Sequence, residues 1–584
     1  MNDKMNKKGD IFINKLKEKI KILDVSRMPE EQITITVDRA DLPETVRMLY
    51  YDMGGWLSTM VPNDERQING NYTLYYALSM EGGKMSYDDE LPAEDKCWIT
   101  VKAYIPATDP CYPSVTRLVP AAVWYEREAY DMLGLVAEGL PDPRRLVLSD
   151  DWPDDLFPMR KDAMEYNYRP DPVDHADEPE YKFLHPEGEG LIDVPLGPLH
   201  ITSDEPGHFR LYCDGDTIID ADYRLFYQHR GMEKLAENRM SYDQMGFLAE
   251  RVCGICGYAH ATACIEAAER AIDMEIPRRA QAIRIINQEI ERLHSHMLNI
   301  GLACEVTGNI NAFMHIFRIR EFSMELAQLV SGGRKTYGNV VVGGMRRDIS
   351  AKEIRKGLEL LQTMETQLKE VWEAVMEDDS QVSRWKGVGI LDRQVARDFS
   401  AVGPNIRGSG FKRDTRYDHP YDFHDAIEYE VAVEEGCDVY AREWVRYKEL
   451  LESISIIRQC FEIMPAGSII TNHNKRIIPQ AYALANNEAP RGENIHWIQH
   501  GSAQKVFRWR CRAATYNNWP SLRFQFRGNT IADAALIVCS MDPCYSCTDR
   551  VTVVDVKSKR SKVLTHSDLK KYSQTLKHSP LKDI

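Results

Sequence analysis

The sequence predicts a multidomain chain in which an N-terminal α+β domain precedes a mainly helical domain. Its 584 residues exceed what a single hydrophobic core organises. Strand-like alternation is concentrated in the first 162 residues, and long apolar patterns of helical period dominate the second half. Hydrophobic residues make up 43% and charged residues 28% of the chain, which is typical of globular domains.

The first predicted domain covers residues 1–162. Three segments there are rich in β-branched and aromatic residues, namely 33–38 (ITITVD), 72–80 (YTLYYALSM) and 97–105 (CWITVKAYI). The Asn69-Gly70 dipeptide and the acidic stretch 86–95 supply turn signals between them. We therefore expect a small α+β domain built on an antiparallel or mixed sheet.

An acidic, proline-rich stretch, 163–196, follows and predicts an extended linker, because few of its residues are apolar. The helical domain is assigned to 197–550. After Pro277, residues 283, 286, 290, 293, 297 and 300 are apolar at steps of three and four, which marks one helix face. Further helical patterns cover 313–330, 352–377 and 438–464, which suggests a helix bundle.

Charge and hydropathy limit the partners and the cellular location that we expect for the chain. The net charge of −16 argues against nucleic acid as a partner, because phosphate binding needs a concentrated positive face. No apolar run reaches the roughly 18–20 residues that cross a bilayer. The N-terminus lacks the apolar core of a signal peptide, and Phe12, Leu16 and Ile20 instead mark one face of a short helix. We expect a cytoplasmic chain whose membrane attachment comes through another subunit.

Four of the 13 cysteines form two CxxC pairs, Cys253 with Cys256 and Cys544 with Cys547. Two intervening residues let both sulfurs of a pair converge on one metal, so the pairs together predict a four-thiolate site. The spacing alone leaves zinc, an iron–sulfur cluster and nickel open. The wide separation of the pairs counts against zinc ribbons, which usually close a short loop.

The motifs around these pairs resemble a known family. RVCGICGYAH (251–260) and DPCYSCTDR (542–550) are similar to the two metal motifs of NiFe hydrogenase large subunits. HRGMEK (229–234), EAPRGE (488–493) and RAATYN (512–517) resemble three further segments of that family. The resemblance implies a NiFe hydrogenase large-subunit domain that interconverts dihydrogen with protons and electrons.

A second resemblance covers the rest of the chain. WYEREAYDMLG (124–134), PDPRR (141–145) and the Asp151-Trp152 pair are similar to the small peripheral-arm subunit of respiratory complex I. EIERLHSHMLN (289–299) and GGMRRD (343–348) are similar to its quinone-site subunit, a relative of hydrogenases. A chain that fuses the two is the arrangement of the formate hydrogenlyase group. It implies a catalytic subunit that evolves hydrogen on the cytoplasmic face of a membrane complex.

The resemblance implies a role for each cysteine. Cys253, Cys256, Cys544 and Cys547 would bind nickel, with Cys256 and Cys547 bridging to an iron that carries carbon monoxide and cyanide. Cys253 and Cys544 would be terminal ligands. Heterolytic cleavage of dihydrogen would deliver its proton to a terminal thiolate, for which Cys544 is the candidate.

Three side chains are candidates to contact this centre. Arg491 in EAPRG would donate to cyanide, although an ordinary ion pair with Glu488 or Glu493 is the plainer alternative. Thr515 would likewise offer its hydroxyl to cyanide. His260 follows Cys256 by four residues and either donates to a cysteine sulfur or is a buried structural histidine.

Two further positions concern the edge of the site. Glu233 resembles a carboxylate ligand of a second metal, magnesium or iron, in the wider family. That family has a histidine ligand where this chain has Arg550, so an ion pair, for example with Arg550, is the alternative for Glu233. Glu205, in DEPGH (204–208), resembles the glutamate of the family's EGH motif, displaced by one place, and is the candidate proton relay.

The last 34 residues hold eight Lys or Arg against three Asp, unlike the acidic remainder of the chain. The resemblance implies that a maturation peptidase removes this extension, 551–584, after Arg550.

The other nine cysteines stand singly, so no iron–sulfur cluster is expected in this chain. Electrons would leave through a small subunit with a 4Fe–4S cluster, beside further electron-transfer and integral membrane subunits. The alternatives are a metal-free, complex I-like quinone-binding subunit and a non-catalytic zinc module.

Overall fold

The fold is described from a computed structural model of the chain. It describes residues 7–545 together with 553–555 and 560–562. Within that span it does not describe residues 28, 30–31, 83–90, 93–94, 151, 166–167, 169, 172, 174–180, 189, 199–205, 228, 472–477 and 503–504.

A five-stranded mixed sheet organises the N-terminal region. Its strands are β1 (Ile22–Arg27), β2 (Gln32–Val37), β3 (Gly55–Asp64), β4 (Asn71–Met80) and β5 (Cys97–Pro106). The spatial order is β1-β2-β5-β4-β3, with β2 parallel to β5 and every other pair antiparallel. The three strands predicted from the sequence are confirmed as β2, β4 and β5. The prediction did not include β1 and β3.

Short helices cover this sheet. They are α1 (Asp10–Lys17), α2 (Leu42–Arg47), α3 (Arg66–Asn69) and α4 (Val123–Leu133), accompanied by the parallel strands β6 (Cys111–Pro113) and β7 (Val136–Glu138). Phe12 and Leu16 of α1 are buried as expected, and Ile20 is buried just beyond the end of the helix. The N-terminal region is therefore α+β.

The expected linker, 163–196, ends in regular structure. The described part of 163–196 has no helix, but strand β8 (Ile192–Leu196) pairs with β9 (His208–Asp214), which in turn pairs with β10 (Thr217–Arg224). Val194 and Leu196 pack against the main buried cluster. These alternating apolar residues give the stretch enough buried surface to form an edge strand.

Helices dominate the second region. The described helices are α5 (Met232–Arg239), α6 (Tyr242–Ala249), α7 (Gly257–Arg270), α8 (Arg278–Val306), α9 (Ile310–Ser331), α10 (Ala351–Glu377), α11 (Asp379–Trp385), α12 (Arg393–Asp398), α13 (Pro404–Arg407), α14 (Thr415–Asp418), α15 (Val439–Ile463), α16 (Ala514–Phe526) and α17 (Ala534–Met541). The four predicted long helices are confirmed as α8, α9, α10 and α15, and Pro277 lies at the N-cap of α8.

The helical region also contains a buried sheet that the sequence reasoning missed. Strands β13 (Tyr482–Ala489), β14 (Gly492–His500) and β15 (Val506–Arg512) form an antiparallel sheet beside α7. Every residue of β14 is buried, including Glu493, Asn494 and His496. Because polar residues occupy both faces, the alternation that marks a half-exposed strand is absent. Short strand pairs β11 (Val340–Val341) with β12 (Gly344–Met345), and β16 (Val553–Asp555) with β17 (Arg560–Lys562), complete the described strands.

One apolar core joins the two regions. The buried cluster that contains Leu16, Leu57 and Leu133 of the N-terminal region also contains Trp519 of α16 and Ile537 of α17. The helices α8, α9, α10 and α15 pack around a second cluster. No helix among the described residues combines the length and apolarity needed to cross a bilayer. The domain limits at 162, 196 and 550 stay predictions.

Candidate metal centre

Three of the four predicted cysteine ligands meet in the interior. Cys253 and Cys256 lie in the loop that leads into α7, and Cys544 follows α17. Their sulfur atoms all lie within 4.8 Å of one another, and the Sγ atoms of Cys253 and Cys544 are 3.1 Å apart. All three side chains are buried. Cys547 lies outside the described residues.

The CxxC loop is shaped around the sulfur of Cys253. The amides of Ile255 and Cys256 both donate to Sγ of Cys253 at 3.3 Å. Such amide donors stabilise a thiolate. Hydrogen bonds with the other two thiols, and then burial, raise the pKa of Cys256 well above its usual range. Metal coordination overrides this effect, because it deprotonates the thiol.

A glycine directly after Cys256 permits this loop to close. A Cβ atom at Gly257 would lie 2.5 Å from the carbonyl oxygen of Glu250 and 2.6 Å from the Tyr337 ring. The same Tyr337 donates its hydroxyl to the carbonyl oxygen of Cys253 at 3.0 Å. Backbone and ring thus confine the first cysteine pair.

Glu291 of α8 caps the helix that follows the pair, a role that the sequence reasoning did not assign. Its carboxylate accepts the amides of Tyr258 at 2.7 Å and Ala259 at 3.0 Å. A carboxylate at a helix N-terminus accepts hydrogen bonds from amides that have no partner within the helix, and its negative charge is attracted to the positive end of the helix dipole. Burial raises the pKa of Glu291 to about 8. The residue lies inside the segment EIERLHSHMLN, which was singled out only for its resemblance.

Arg491 lies beside the cysteine cluster and pairs with Asp542. Nη2 of Arg491 donates to Oδ1 of Asp542 at 2.6 Å, and Nε donates to the Asp542 carbonyl oxygen at 2.8 Å. Its Nη1 contacts Oγ of Ser295 at 3.4 Å. Burial has the largest single effect on the pKa of Arg491 and lowers it. Asp542 and the three cysteines together outweigh burial, so the pKa of Arg491 is raised well above its usual range.

The plainer alternative for Arg491, an ion pair with Glu488 or Glu493, is wrong. Glu488 pairs with Arg407 at 2.8 Å, and Glu493 pairs with Arg413 at 3.0 Å. Strands β13 and β14 are joined by a turn at Pro490 and Arg491, so Arg491 lies outside the paired residues. Asp542 belongs to the DPC segment of the second motif, but nothing in the sequence indicates that it pairs with Arg491, which is 51 residues earlier in the chain.

Thr515 contacts Cys544 through the backbone. The amide of Cys544 donates to Oγ1 of Thr515 at 3.2 Å. Thr515 lies in the first turn of α16 and is buried. Its hydroxyl oxygen therefore fixes the backbone at the first cysteine of the second pair.

His260 and Glu233 both contact Cys511. Nδ1 of His260 is 3.0 Å from Nε2 of His496 and 3.6 Å from Sγ of Cys511. Oε2 of Glu233 accepts from Arg508 at 2.6 Å, and Oε1 accepts the amide of Cys511 at 3.0 Å. Both Glu233 oxygens thus have protein donors. Glu205 and Arg550 lie outside the described residues.

The donor set fits a soft metal. Three buried thiols converge without a basic side chain among the cluster itself, and an arginine lies beside them. Thiolates select soft or borderline metals such as nickel, iron and zinc. Buried arginine provides fixed positive charge against anionic groups bound there.

Family models match three parts of the chain. They are "Respiratory-chain NADH dehydrogenase, 30 Kd subunit" over residues 35–168, "Nickel-dependent hydrogenase" over 230–300, and "Respiratory-chain NADH dehydrogenase, 49 Kd subunit" over 307–487 and 476–550. Together with the thiol cluster they define a complex I-related hydrogenase subunit.

Relatives match over almost the full length. The chain is 50% identical to formate hydrogenlyase subunit 5 of Escherichia coli (strain K12), with 96% of each chain covered. It is 48% identical to hydrogenase-4 component G of the same organism, also with 96% of each chain covered. The chain therefore belongs to the family of formate hydrogenlyase subunit 5 and hydrogenase-4 component G, and it is a hydrogenase catalytic subunit.

More distant relatives match about two thirds of the chain. The membrane-bound hydrogenase subunit alpha of Pyrococcus furiosus is 34% identical, with 66% of this chain and 93% of that one covered. Among solved structures, a chain of the archaeal membrane-bound sulfane sulfur reductase aligns with a TM-score of 0.59 and 26% identity. That alignment covers 63% of this chain and all of the other. Both relatives belong to membrane complexes by their names.

Proposed function

We propose that this hydrogenase subunit evolves hydrogen in a formate hydrogenlyase-like membrane complex, at a nickel–iron centre held by Cys253, Cys256, Cys544 and Cys547. The observation that carries the proposal is the convergence of three buried thiols from opposite ends of the second region. The iron would carry carbon monoxide and cyanide. When bound, the metals would supply heterolytic cleavage and formation of dihydrogen.

The protein residues hold and surround this centre. Amide donors keep the Cys253 sulfur in place. Cys544 would hold the transferred proton. Thr515 positions Cys544 by accepting a hydrogen bond from the Cys544 backbone amide. Arg491, held by Asp542, would direct its remaining guanidinium donors to a cyanide. These buried groups also exclude water from the cluster.

Glu233 acts as an ion-pair partner in this proposal. Both of its oxygens accept protein donors, and Arg510 lies at 3.5 Å in addition to Arg508. Two arginines so close oppose the binding of a divalent cation. The second metal, magnesium or iron, therefore has no support at this carboxylate. Glu205 stays the candidate proton relay by resemblance.

The expected partners follow from the same proposal. A small subunit with a 4Fe–4S cluster would take electrons to or from the centre, and integral membrane subunits would hold the chain at the cytoplasmic face. The names of the relatives support such an assembly. Purification of the tagged chain from gently solubilised membranes tests it. Recovery with iron–sulfur and membrane subunits is expected, and recovery of the active chain alone would contradict it.

A maturation peptidase would remove residues 551–584 after Arg550. The change from an acidic chain to a basic end supports this limit. Intact-mass measurement of the active chain is the test. A mass that ends at Arg550 supports the proposal, and an active chain that retains the extension overturns it. The predicted domains, 1–162, 163–196 and 197–550, belong to the same proposal.

A further inference from the structure

A second group of potential ligands lies next to the cysteine cluster. Nδ1 of His260, Nε2 of His496 and Sγ of Cys511 lie within 4.8 Å of one another. Both histidines are buried, and Cys511 is half-buried. The arrangement has the residue types of a metal site. One neighbouring side chain decides against that function.

Trp509 fixes the tautomer of His496. Its indole Nε1 donates to Nδ1 of His496 at 3.0 Å. An indole N–H is a donor only, so Nδ1 of His496 must present a lone pair. Burial lowers the pKa of His496 well below its usual range, so the ring is neutral. A neutral imidazole carries one proton, which must then be on Nε2.

The protonated Nε2 of His496 cannot bind a metal. It instead faces Nδ1 of His260 at 3.0 Å, which is hydrogen-bond distance. His496 is the donor of that bond, so Nδ1 of His260 is the acceptor. A ring nitrogen that accepts a hydrogen bond carries no proton, so this ring is also neutral. Its single proton is therefore on Nε2.

Cys511 agrees with this assignment. Burial raises the pKa of the Cys511 thiol well above its usual range, so it keeps its proton. Its sulfur lies 3.6 Å from Nδ1 of His260 and 3.5 Å from Nε2 of His496, so it can donate weakly to the first nitrogen and accept weakly from the second.

We propose that Trp509 and His496 are positioning residues that hold His260 as the Nε2–H tautomer, so that it presents a hydrogen-bond donor beside the cysteine cluster. His260 lies one helical turn after Cys256 on α7, and its amide bonds to the Cys256 carbonyl oxygen at 3.3 Å. Side chains four residues apart share a helix face. A thiolate bound to metal is an acceptor for such a donor. The consequence for the metal rests on the proposed function.

Substitutions can separate the direction of the hydrogen bonds from Trp509 through His496 to His260 from the packing of these side chains. Glutamine at 496 offers one acceptor and one donor, as the assigned tautomer of His496 does, whereas leucine offers neither. Trp509→Phe removes the indole N–H and keeps an aromatic ring. His500→Gln is the matched control, because His500 is a buried histidine of the same strand, four residues further on.

Infrared spectra of the purified complex give the first measurement. We expect the bands of iron-bound carbon monoxide and cyanide to shift in His496→Leu and Trp509→Phe, and to keep their wild-type positions in His496→Gln and His500→Gln. Unchanged bands in both of the first two variants overturn the proposal. Because Trp509→Phe interrupts the same chain of donors, a failure of His496→Leu to fold leaves the test intact.

A second measurement does not depend on the metals. Ultraviolet resonance Raman difference spectra against Trp509→Phe isolate one indole N–H among the ten tryptophans. We expect a hydrogen-bonded indole in the wild type and in His496→Gln, and a free one in His496→Leu. A free indole in the wild type, or a metal lost only on substitution of His496, overturns the assignment. Wild-type protein without the infrared bands counts against the proposed function alone, since the Raman result still judges the tautomer.

Discussion

Arg491 and Asp542 form a buried ion pair that ties the turn between β13 and β14 to the start of the second cysteine motif. Asp542 follows α17 in a left-handed conformation, with φ at 56°. The Arg491 guanidinium contacts both its side chain and its carbonyl oxygen, at 2.6 Å and 2.8 Å. The arginine that faces the cluster therefore also fixes the backbone that delivers Cys544.

Removing Arg491 should destabilise the chain strongly. Arg491→Ala leaves the Asp542 carboxylate buried without its partner, a change that typically costs about 3–5 kcal/mol. Arg334→Ala is the control, because its pair with Glu321 is half-exposed and such pairs contribute about 0–1 kcal/mol. Apparent melting temperatures of the purified complexes are the measurement. Equal melting temperatures for the two variants would show that the Arg491 pair has no structural role.

Thr515→Val should impair catalysis more than Thr515→Ser. Valine removes the oxygen that accepts the Cys544 amide and leaves a buried donor unsatisfied, at about 1–3 kcal/mol. Serine keeps the hydroxyl. Hydrogen evolution per nickel should fall by tenfold or more in the valine variant, on the order of the same free energy, and stay near wild type with serine. Equal rates per nickel in both variants contradict this role.

Glu233→Gln should leave the metal content unchanged. Its carboxylate pairs with Arg508 and accepts the Cys511 amide, so it is not free to bind a cation. We expect the nickel, iron and magnesium contents per chain to match the wild type, with a lower melting temperature because the arginines lose their counter-charge. Loss of one magnesium or one iron per chain on this substitution would restore Glu233 as a ligand.

Glu443 of α15 should make stability depend on pH. Burial raises its pKa to about 7, above the usual value of 4.5. A carboxyl whose folded pKa is raised contributes stability below the unfolded pKa and loses it as pH rises through the folded pKa. Between pH 5 and pH 8 the wild type should therefore lose melting temperature relative to Glu443→Gln.

The exposed Glu321→Gln variant is the control for that comparison, because its side chain is about half-exposed, at 51%. It shows how the loss of one surface carboxylate changes the melting temperature at each pH. A difference between Glu443→Gln and the wild type that varies with pH no more than this control would show that Glu443 titrates normally.

The sequence predicted the elements in which apolar or β-branched residues recur with a regular period. The apolar steps after Pro277 gave α8, and β-branched alternation gave β2, β4 and β5, although most residues on both faces of these elements are buried. The sheet from β13 to β15 was missed for the opposite reason. Its buried arginines, glutamates and histidines satisfy one another across the chain, and such partners have no periodic signature.

The same limit applies to the site. Cys253, Cys256 and Cys544 were found from spacing and motif resemblance, and the structure brings them together. Asp542 and Glu291 act through single long-range contacts, which sequence spacing does not record. The resemblance located Arg491 at the centre, but only the three-dimensional contacts showed that its partner is Asp542.

Metal and infrared analysis of the purified chain in its complex tests the central proposal most directly. We expect nickel and iron in comparable amounts, with infrared bands of iron-bound carbon monoxide and cyanide. Cys544→Ser should lose the nickel, since a thiolate of the cluster is removed. Zinc alone, without those bands, would contradict the account and leave the cysteines as a structural site.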